Sequence, residues 1–312
     1  MKVHQGCCLE ILPTLPAESV QTVITSPPYW GLRDYGHPGQ LGLEPTPAEY
    51  VANMVKVFSQ VRRVLKPDGT LWLNLGDSYA TGAGKVGNCP GGGDNKGQRS
   101  HSGTQPNRMP QPTLNPKDMV GSPWRVALAL QADGWWLRSD IIWHKPNPMP
   151  SSVTDRPTTS HEYLFLLTRS ARYFYDAEAI KEPDKGRPAG NVEGFKGRQG
   201  TAEFHHQKGG VGSDGWVPGT GRNKRSVWTV PTQPFPGSHF AVMPRALVQP
   251  CIKAGSRVGD LVLDPFCGAG TVGMVARRLQ RQFVGIELNP EFVKMGADRI
   301  VDDAPLFNKV KP

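Results

Sequence analysis

The sequence is poor in features that mark membrane, secreted or metal-stapled proteins. No apolar run approaches the roughly 20 residues needed to cross a bilayer. The N-terminus, Met1-Lys2-Val3-His4-Gln5, lacks the apolar core of a secretory signal, so a cytoplasmic location is expected. There are only five cysteines (Cys7, Cys8, Cys89, Cys251 and Cys267), an odd number with no C-x-x-C pair. Neither a disulfide framework nor a zinc site is expected from them, and His205-His206 reads as loop composition rather than a metal pair. Charged residues are only 20% of the chain and hydrophobic ones 38%, an ordinary soluble balance for a 312-residue protein with one large core or a core plus a lobe.

Glycine (36 residues) and proline (30) are abundant, which points to long irregular segments. Positive charge concentrates in two of them. Residues 81–118 hold five Lys/Arg against two Asp/Glu, and residues 181–225 hold nine against five, together +7 of the net +9. Basic loops of this kind suit a polyanion; charge alone equally fits solvated loops.

The regular elements alternate. Val20–Ile24 reads as a buried strand. Residues 47–65 form a helix, with Tyr50, Met54, Val57, Phe58, Val61, Val64 and Leu65 at helical spacing, and Lys66-Pro67-Asp68-Gly69 reads as the turn that ends it. Thr70–Leu75 is the next strand, so the unit is strand–helix–strand, as in a parallel sheet covered by helices. A helix is expected at 123–132 and strands at 137–143 and 163–168, the two strands as neighbours at one sheet edge. Helices follow at 241–254, 270–279 and 290–301, with strands at 261–263 and 282–288. The Trp135, Trp136 and Trp143 cluster reads as core, and Pro250-Cys251 as packing inside a helix.

Two stretches carry chemistry. In Thr25-Ser26-Pro27-Pro28-Tyr29-Trp30 two prolines stiffen the chain where a strand ends, with a hydroxyl before them and aromatic rings after. Open α/β sheets place their chemistry at that end of the strands. Asp264-Pro265-Phe266-Cys267-Gly268-Ala269-Gly270-Thr271 lies between a strand and a helix, where free N–H groups and glycine backbone suit a ligand. Glu287 ends the following strand, a position from which a carboxylate can accept from both hydroxyls of a ribose.

These motifs resemble the S-adenosylmethionine-dependent DNA amino-methyltransferases, which modify adenine N6 or cytosine N4. Ser26-Pro27-Pro28-Tyr29 matches the family's catalytic [DNS]-P-P-[YFW], and Asp264 to Thr271 its D-P-F-x-G-x-G-T cofactor motif. The catalytic motif comes first, as in the circularly permuted beta class. Ser238-His239-Phe240, Lys66 to Thr70 and His161-Glu162-Tyr163-Leu164 resemble further family segments, and the likeness covers about two-thirds of the chain. Where family members often read G-D-C-L near the N-terminus, this chain has Gly6-Cys7-Cys8-Leu9, so an aspartate contact to the cofactor adenine is not carried over.

The resemblance implies a Rossmann-like α/β methyltransferase fold with a mostly parallel sheet, an antiparallel edge hairpin and an irregular target-recognition insertion. It assigns 1–80 and 119–175 to the catalytic half and 226–312 to the cofactor-binding half. Residues 176–225 become the target-recognition region, and 81–118 a basic loop that is disordered or contacts DNA. It implies catalysis by Ser26, Pro27, Pro28 and Tyr29. It further implies S-adenosylmethionine held by Asp264, Phe266, Gly268, Gly270, Thr271, Glu287, His239 and Phe240, and no metal. The Ser26 oxygen and the Pro27 carbonyl would accept from the target amino group, and Tyr29 would stack on a flipped base. Double-stranded DNA is the implied partner, near the nucleoid; a homodimer and a companion restriction endonuclease are compatible with the family. Serine in this turn is more frequent among N4-cytosine enzymes, while adenine N6 is the alternative. An RNA or protein-amide methyltransferase, or a DNA-binding protein with a dead site, are weaker readings.

Overall fold

The computed structural model describes residues 1–37, 39–80, 106–183, 221–233 and 242–303. Contacts divide the chain into two compact units, Met1–Asp176 with Ser226–Pro312, and Ala177–Arg225.

The larger unit is one eight-stranded sheet between helices. In chain order its elements are β1 (Lys2–Gln5), α1 (Cys8–Ile11), β2 (Val20–Thr25), α2 (Pro47–Val64), β3 (Leu65–Leu75), α3 (Ser122–Ala132), β4 (Trp136–His144) and β5 (His161–Thr168). There follow β6 (Val227–Thr229), α4 (Arg245–Gly255), β7 (Leu261–Asp264), α5 (Thr271–Arg278), β8 (Gln282–Glu287) and α6 (Pro290–Asp302). The strand order is β1-β8-β7-β2-β3-β5-β4-β6. Only β5 runs against its neighbours; every other pairing is parallel. The sheet is therefore mostly parallel with a β4–β5 hairpin, as expected. The hairpin is not the last element, because β6 pairs with β4 outside it.

Alternation along the central strands divides the core. Val23, Leu71, Leu73, Leu75, Phe165 and Leu167 join a buried cluster with Tyr50, Met54, Val57, Phe58 and Val61 of α2 and Val126 and Leu130 of α3. The opposite face presents Thr22, Thr70 and Trp72 to α4. Thr22 and Thr70 share a buried hydroxyl–hydroxyl bond of 2.9 Å. An added Cβ on Gly255 would lie 2.6 Å from Thr70 Oγ1 and 2.7 Å from Thr22 Oγ1. Gly255→Ala is thus expected to lower stability by about 1–3 kcal/mol through overpacking, measured as a lower urea midpoint; an unchanged midpoint would mean that α4 moves freely away.

α2 starts where the sequence says it should. Thr46 Oγ1 accepts from Glu49 N, and Pro47 stands at the first helical position. Its end differs from expectation. Lys66–Gly69 is no free turn: β3 begins at Leu65, and the register shift between Val20↔Leu65 and Thr22↔Thr70 makes these residues a bulge in the strand. The Gln21 side-chain amide donates to Asp68 Oδ1 at 3.2 Å, and the bulge leaves no room for a Cβ at Gly69. The tryptophan cluster also divides. Trp135 and Trp143 are buried, but Trp136 is 50% exposed. Trp135 precedes β4 and joins the core cluster, whereas Trp136 is the first residue of the strand.

In the smaller unit, Glu182 is bridged to Arg222, and its carboxylate takes Arg222 and Arg225 at 3.0 Å each. The segment 184–220 and part of 81–118 lie outside the described residues.

Candidate active site

The parallel direction of β2, β3, β7 and β8 brings four strand ends to one edge of the sheet. Ser26 follows β2, Gly76 follows β3, Asp264 ends β7 and Glu287 ends β8. Because β5 runs the other way, its beginning, His161 and Glu162, reaches the same edge. There Leu75 pairs with Tyr163, and the end of β4 pairs with the start of β5 through His144↔His161.

The two motifs touch. Thr25 Oγ1 donates to Asp264 Oδ1 at 2.7 Å across 239 residues of sequence, and Phe266 N donates to the same oxygen at 3.1 Å. Asp264 is 2% exposed, and burial pushes its carboxyl up to about 7 against the help of these donors.

Glu287 closes the loop that follows. Its Oε2 accepts from Gly268 N at 2.8 Å and its Oε1 from Asn289 N at 2.9 Å, which leaves each oxygen a further acceptor position. Burial raises its carboxyl too, opposed by those N–H donors. Gly268 (φ 48°) and Gly270 (φ 76°) hold left-handed backbone before α5. A Cβ at Gly270 would lie 2.8 Å from Gly296 O of α6, so glycine there allows α6 to approach the loop closely. Gly273, three residues further on, is pressed against Phe283 and Ile300. The Thr271 hydroxyl is buried with no partner among the described residues. His239 and Phe240 lie outside the described residues.

The Pro-Pro turn is anchored from outside. Tyr50 Oη donates to Pro28 O at 2.9 Å, while no described residue donates to Pro27 O. Trp30 is fully buried, its indole donating to Glu44 O at 2.8 Å, so this ring belongs to the core. Ser26 is half-buried. Its Oγ lies 3.1 Å from Tyr29 Oη and accepts from Asn74 Nδ2 at 3.3 Å. Tyr29 Oη donates to Glu162 Oε2 at 2.6 Å, and its ring edge lies against Gly76, where an added Cβ would sit 2.6 Å away. Burial, then Glu162, drives the Tyr29 hydroxyl well above its ordinary range, so it keeps its proton. Asn74 Nδ2 also donates to Tyr29 Oη at 2.7 Å and to Glu162 Oε2 at 2.9 Å, and Lys145 Nζ donates to Glu162 Oε1.

Glu162, Asn74 and Lys145 are the members of this cluster that motif reading did not assign. Glu162 stood in the recognised His161-Glu162-Tyr163-Leu164 segment. Asn74 showed only as the polar residue of an apolar strand, and Lys145 carried no signal. Among the described residues no group of His, Cys, Asp and Glu could hold a metal ion, and no helix is long and apolar enough to cross a membrane.

Comparison with known proteins identifies the family and the fold. The family model described as DNA methylase, for N6/N4 methyltransferases, matches residues 20–298. The Type II methyltransferase M.XycI of Xanthomonas campestris pv. cyanopsidis is 47% identical over 304 residues, covering 96% of this chain and 87% of its own. Among solved structures, the PvuII DNA methyltransferase (cytosine-N4-specific) is similar with a TM-score of 0.62 at 19% identity, covering 97% of this chain and 90% of that one. A putative DNA modification methylase from Thermus thermophilus, complexed with S-adenosyl-L-methionine, is similar with a TM-score of 0.60 at 22% identity, covering 98% and 95%.

Proposed function

Since the chain belongs to the N6/N4 DNA methylase family, we propose that it methylates the N4 amino group of a cytosine flipped out of double-stranded DNA, using S-adenosylmethionine. The observation that carries this reading is the Thr25–Asp264 bond at 2.7 Å, which fixes the Ser26 turn beside the loop of Asp264 to Thr271.

The cofactor fits the residues present. The unpartnered Thr271 hydroxyl and the spare acceptor positions of Glu287 offer polar contacts that no described side chain uses up, beside the left-handed glycines and the buried Asp264. Asp264, Phe266, Gly268, Gly270, Thr271 and Glu287 would hold it, with Glu287 on the ribose; His239 and Phe240 are assigned to the same role by family resemblance. When bound, it supplies an activated methyl group on a sulfonium, so no metal or covalent enzyme intermediate is required.

An exocyclic amine attacks poorly because its lone pair is delocalised into the ring. Two acceptors aimed at its N–H groups localise that pair. Ser26 Oγ and Pro27 O are those acceptors in this reading, and the anchored Pro-Pro turn keeps them rigid. The amino group is inaccessible inside a duplex, so the base must leave the stack, and Tyr29 lines its pocket. Residues 176–225 and the basic 81–118 segment are assigned to target recognition and phosphate contact on the strength of their charge. A homodimer and a companion endonuclease belong to this reading as partners.

Serine at position 26 supports cytosine N4 over adenine N6. DNA from cells expressing the chain, digested to nucleosides and analysed by mass spectrometry, is expected to contain N4-methylcytosine. N6-methyladenine instead would overturn the base assignment, and neither product would overturn the reading.

A further inference from the structure

The Ser26 hydroxyl can act in either direction, because a serine O–H both donates and accepts. Localising the lone pair of an amine requires it to accept. The surrounding hydrogen bonds decide which it does. Tyr29 has one proton, and at 2.6 Å it goes to Glu162 Oε2. A carboxylate is acceptor-only, and this one is paired with Lys145 through its other oxygen, with the two side chains only 15% and 18% exposed. Asn74 is 1% exposed, and its Nδ2 faces the same Glu162 oxygen at 2.9 Å, which sets the orientation of that amide. Tyr29 Oη therefore has no proton left for Ser26. The 3.1 Å contact between them must run from Ser26 O–H to Tyr29 Oη. Asn74 Nδ2, whose two protons have closer acceptors in Tyr29 Oη (2.7 Å) and Glu162 Oε2 (2.9 Å), takes at most one Ser26 lone pair at 3.3 Å, and the other remains for a ligand.

We propose that Glu162 is a positioning residue for methyl transfer: by fixing the direction of the Ser26–Tyr29–Glu162 chain, it makes Ser26 an acceptor towards the target amine. The proposal rests on the amino-methyltransferase reading above and extends it to a residue that lies outside both motifs. Lys145, whose ammonium also lies 4.5 Å from the Trp143 ring centre, serves the same end by holding the second carboxylate oxygen.

Glu162→Gln separates direction from shape. Lys145 would draw the amide oxygen of the glutamine, leaving its NH₂ towards Tyr29. Tyr29 would then donate to Ser26, and Ser26 would present its proton to the amine. Glu162→Asp keeps an acceptor-only group although it shortens the reach. Single-turnover methyl transfer should fall about 10-fold or more in Glu162→Gln, with dissociation constants for S-adenosylmethionine and DNA unchanged within about 2-fold. Glu162→Asp should be the faster of the two variants. In a Tyr29→Phe background, which breaks the chain, Glu162→Gln should cost less than about 2-fold more. Thermal unfolding of each variant checks that it is folded. A Glu162→Gln enzyme as fast as wild type, or faster than Glu162→Asp, overturns the proposal, as does an equal loss in both backgrounds. A wild-type protein that methylates no DNA is a different outcome: it overturns the methyltransferase reading itself, and the role of Glu162 falls with it.

Discussion

The Ser26→Ala enzyme is expected to bind S-adenosylmethionine as tightly as wild type and to transfer methyl about 10²–10³ times more slowly, the usual loss when one preorganised polar contact to a developing charge is removed. Ser26 Oγ is held by Asn74 at 3.3 Å and Tyr29 at 3.1 Å, so its position is set in advance of substrate binding. The substitution removes one of two acceptors and leaves Pro27 O in place. Neither of these two Ser26 Oγ bonds goes to the Asp264–Thr271 loop, which is tied to the end of β2 through Thr25 instead. Equilibrium binding of the cofactor and a single-turnover assay with labelled methyl group measure the two quantities separately. A wild-type rate would remove Ser26 from the chemistry. A loss of cofactor affinity equal to the loss of rate would make the turn a part of the cofactor site.

Asp264→Asn is expected to give a protein that is more stable at alkaline pH and poor at binding its cofactor. The carboxyl titrates near 7 in the fold against an ordinary 3.8, chiefly because it is buried. With the folded value raised, its contribution to stability is fully present below pH ~3.8, declines as pH rises, and is lost above about 7. Three units at about 1.4 kcal/mol each set an upper bound of about 4 kcal/mol on the cost of ionising it. Asparagine carries no such cost and can still accept from Thr25 Oγ1 and Phe266 N. The variant should therefore exceed wild type in urea stability at pH 8, by less at pH 5. Cofactor binding should show the opposite. A cationic ligand favours the ionised carboxylate, so wild-type affinity should rise with pH up to about 7 and then level off. The variant should lose that dependence and bind about 10- to 100-fold more weakly. If its affinity matches wild type at pH 8, Asp264 is structural and the loop holds the cofactor through other groups.

Both predictions use residues that are legible in the amino-acid sequence. Ser26-Pro27-Pro28-Tyr29 and Asp264 to Thr271 are contiguous strings whose chemistry is carried by backbone stiffness, glycine and short side chains. Helix α2 is equally legible, because Tyr50, Met54, Val57, Phe58 and Val61 repeat at helical spacing and Thr46-Pro47 forms a local start signal. β6 is not. Three residues, two of them exposed, carry too little pattern to specify a strand whose stability comes from pairing with Ile142–His144, more than 80 positions earlier. Lys66-Pro67-Asp68-Gly69 has turn composition, yet β2 and β3 pair on both sides of it and stretch it into a bulge.

The sequence by itself determined the order of the elements other than β6, the two motifs and the kind of chemistry they support, since each depends on residues close together in the chain. Only the tertiary structure decided that Thr25 bonds Asp264 and that Gly270 yields to Gly296. It alone assembled Glu162, Lys145, Asn74, Tyr29 and Ser26 into one hydrogen-bonded chain. The long-range links among these contacts join residues 17 to 239 positions apart. No local propensity encodes them. They follow from strand direction: four strands running the same way, with β5 running back, bring their chemical groups to one edge of the sheet.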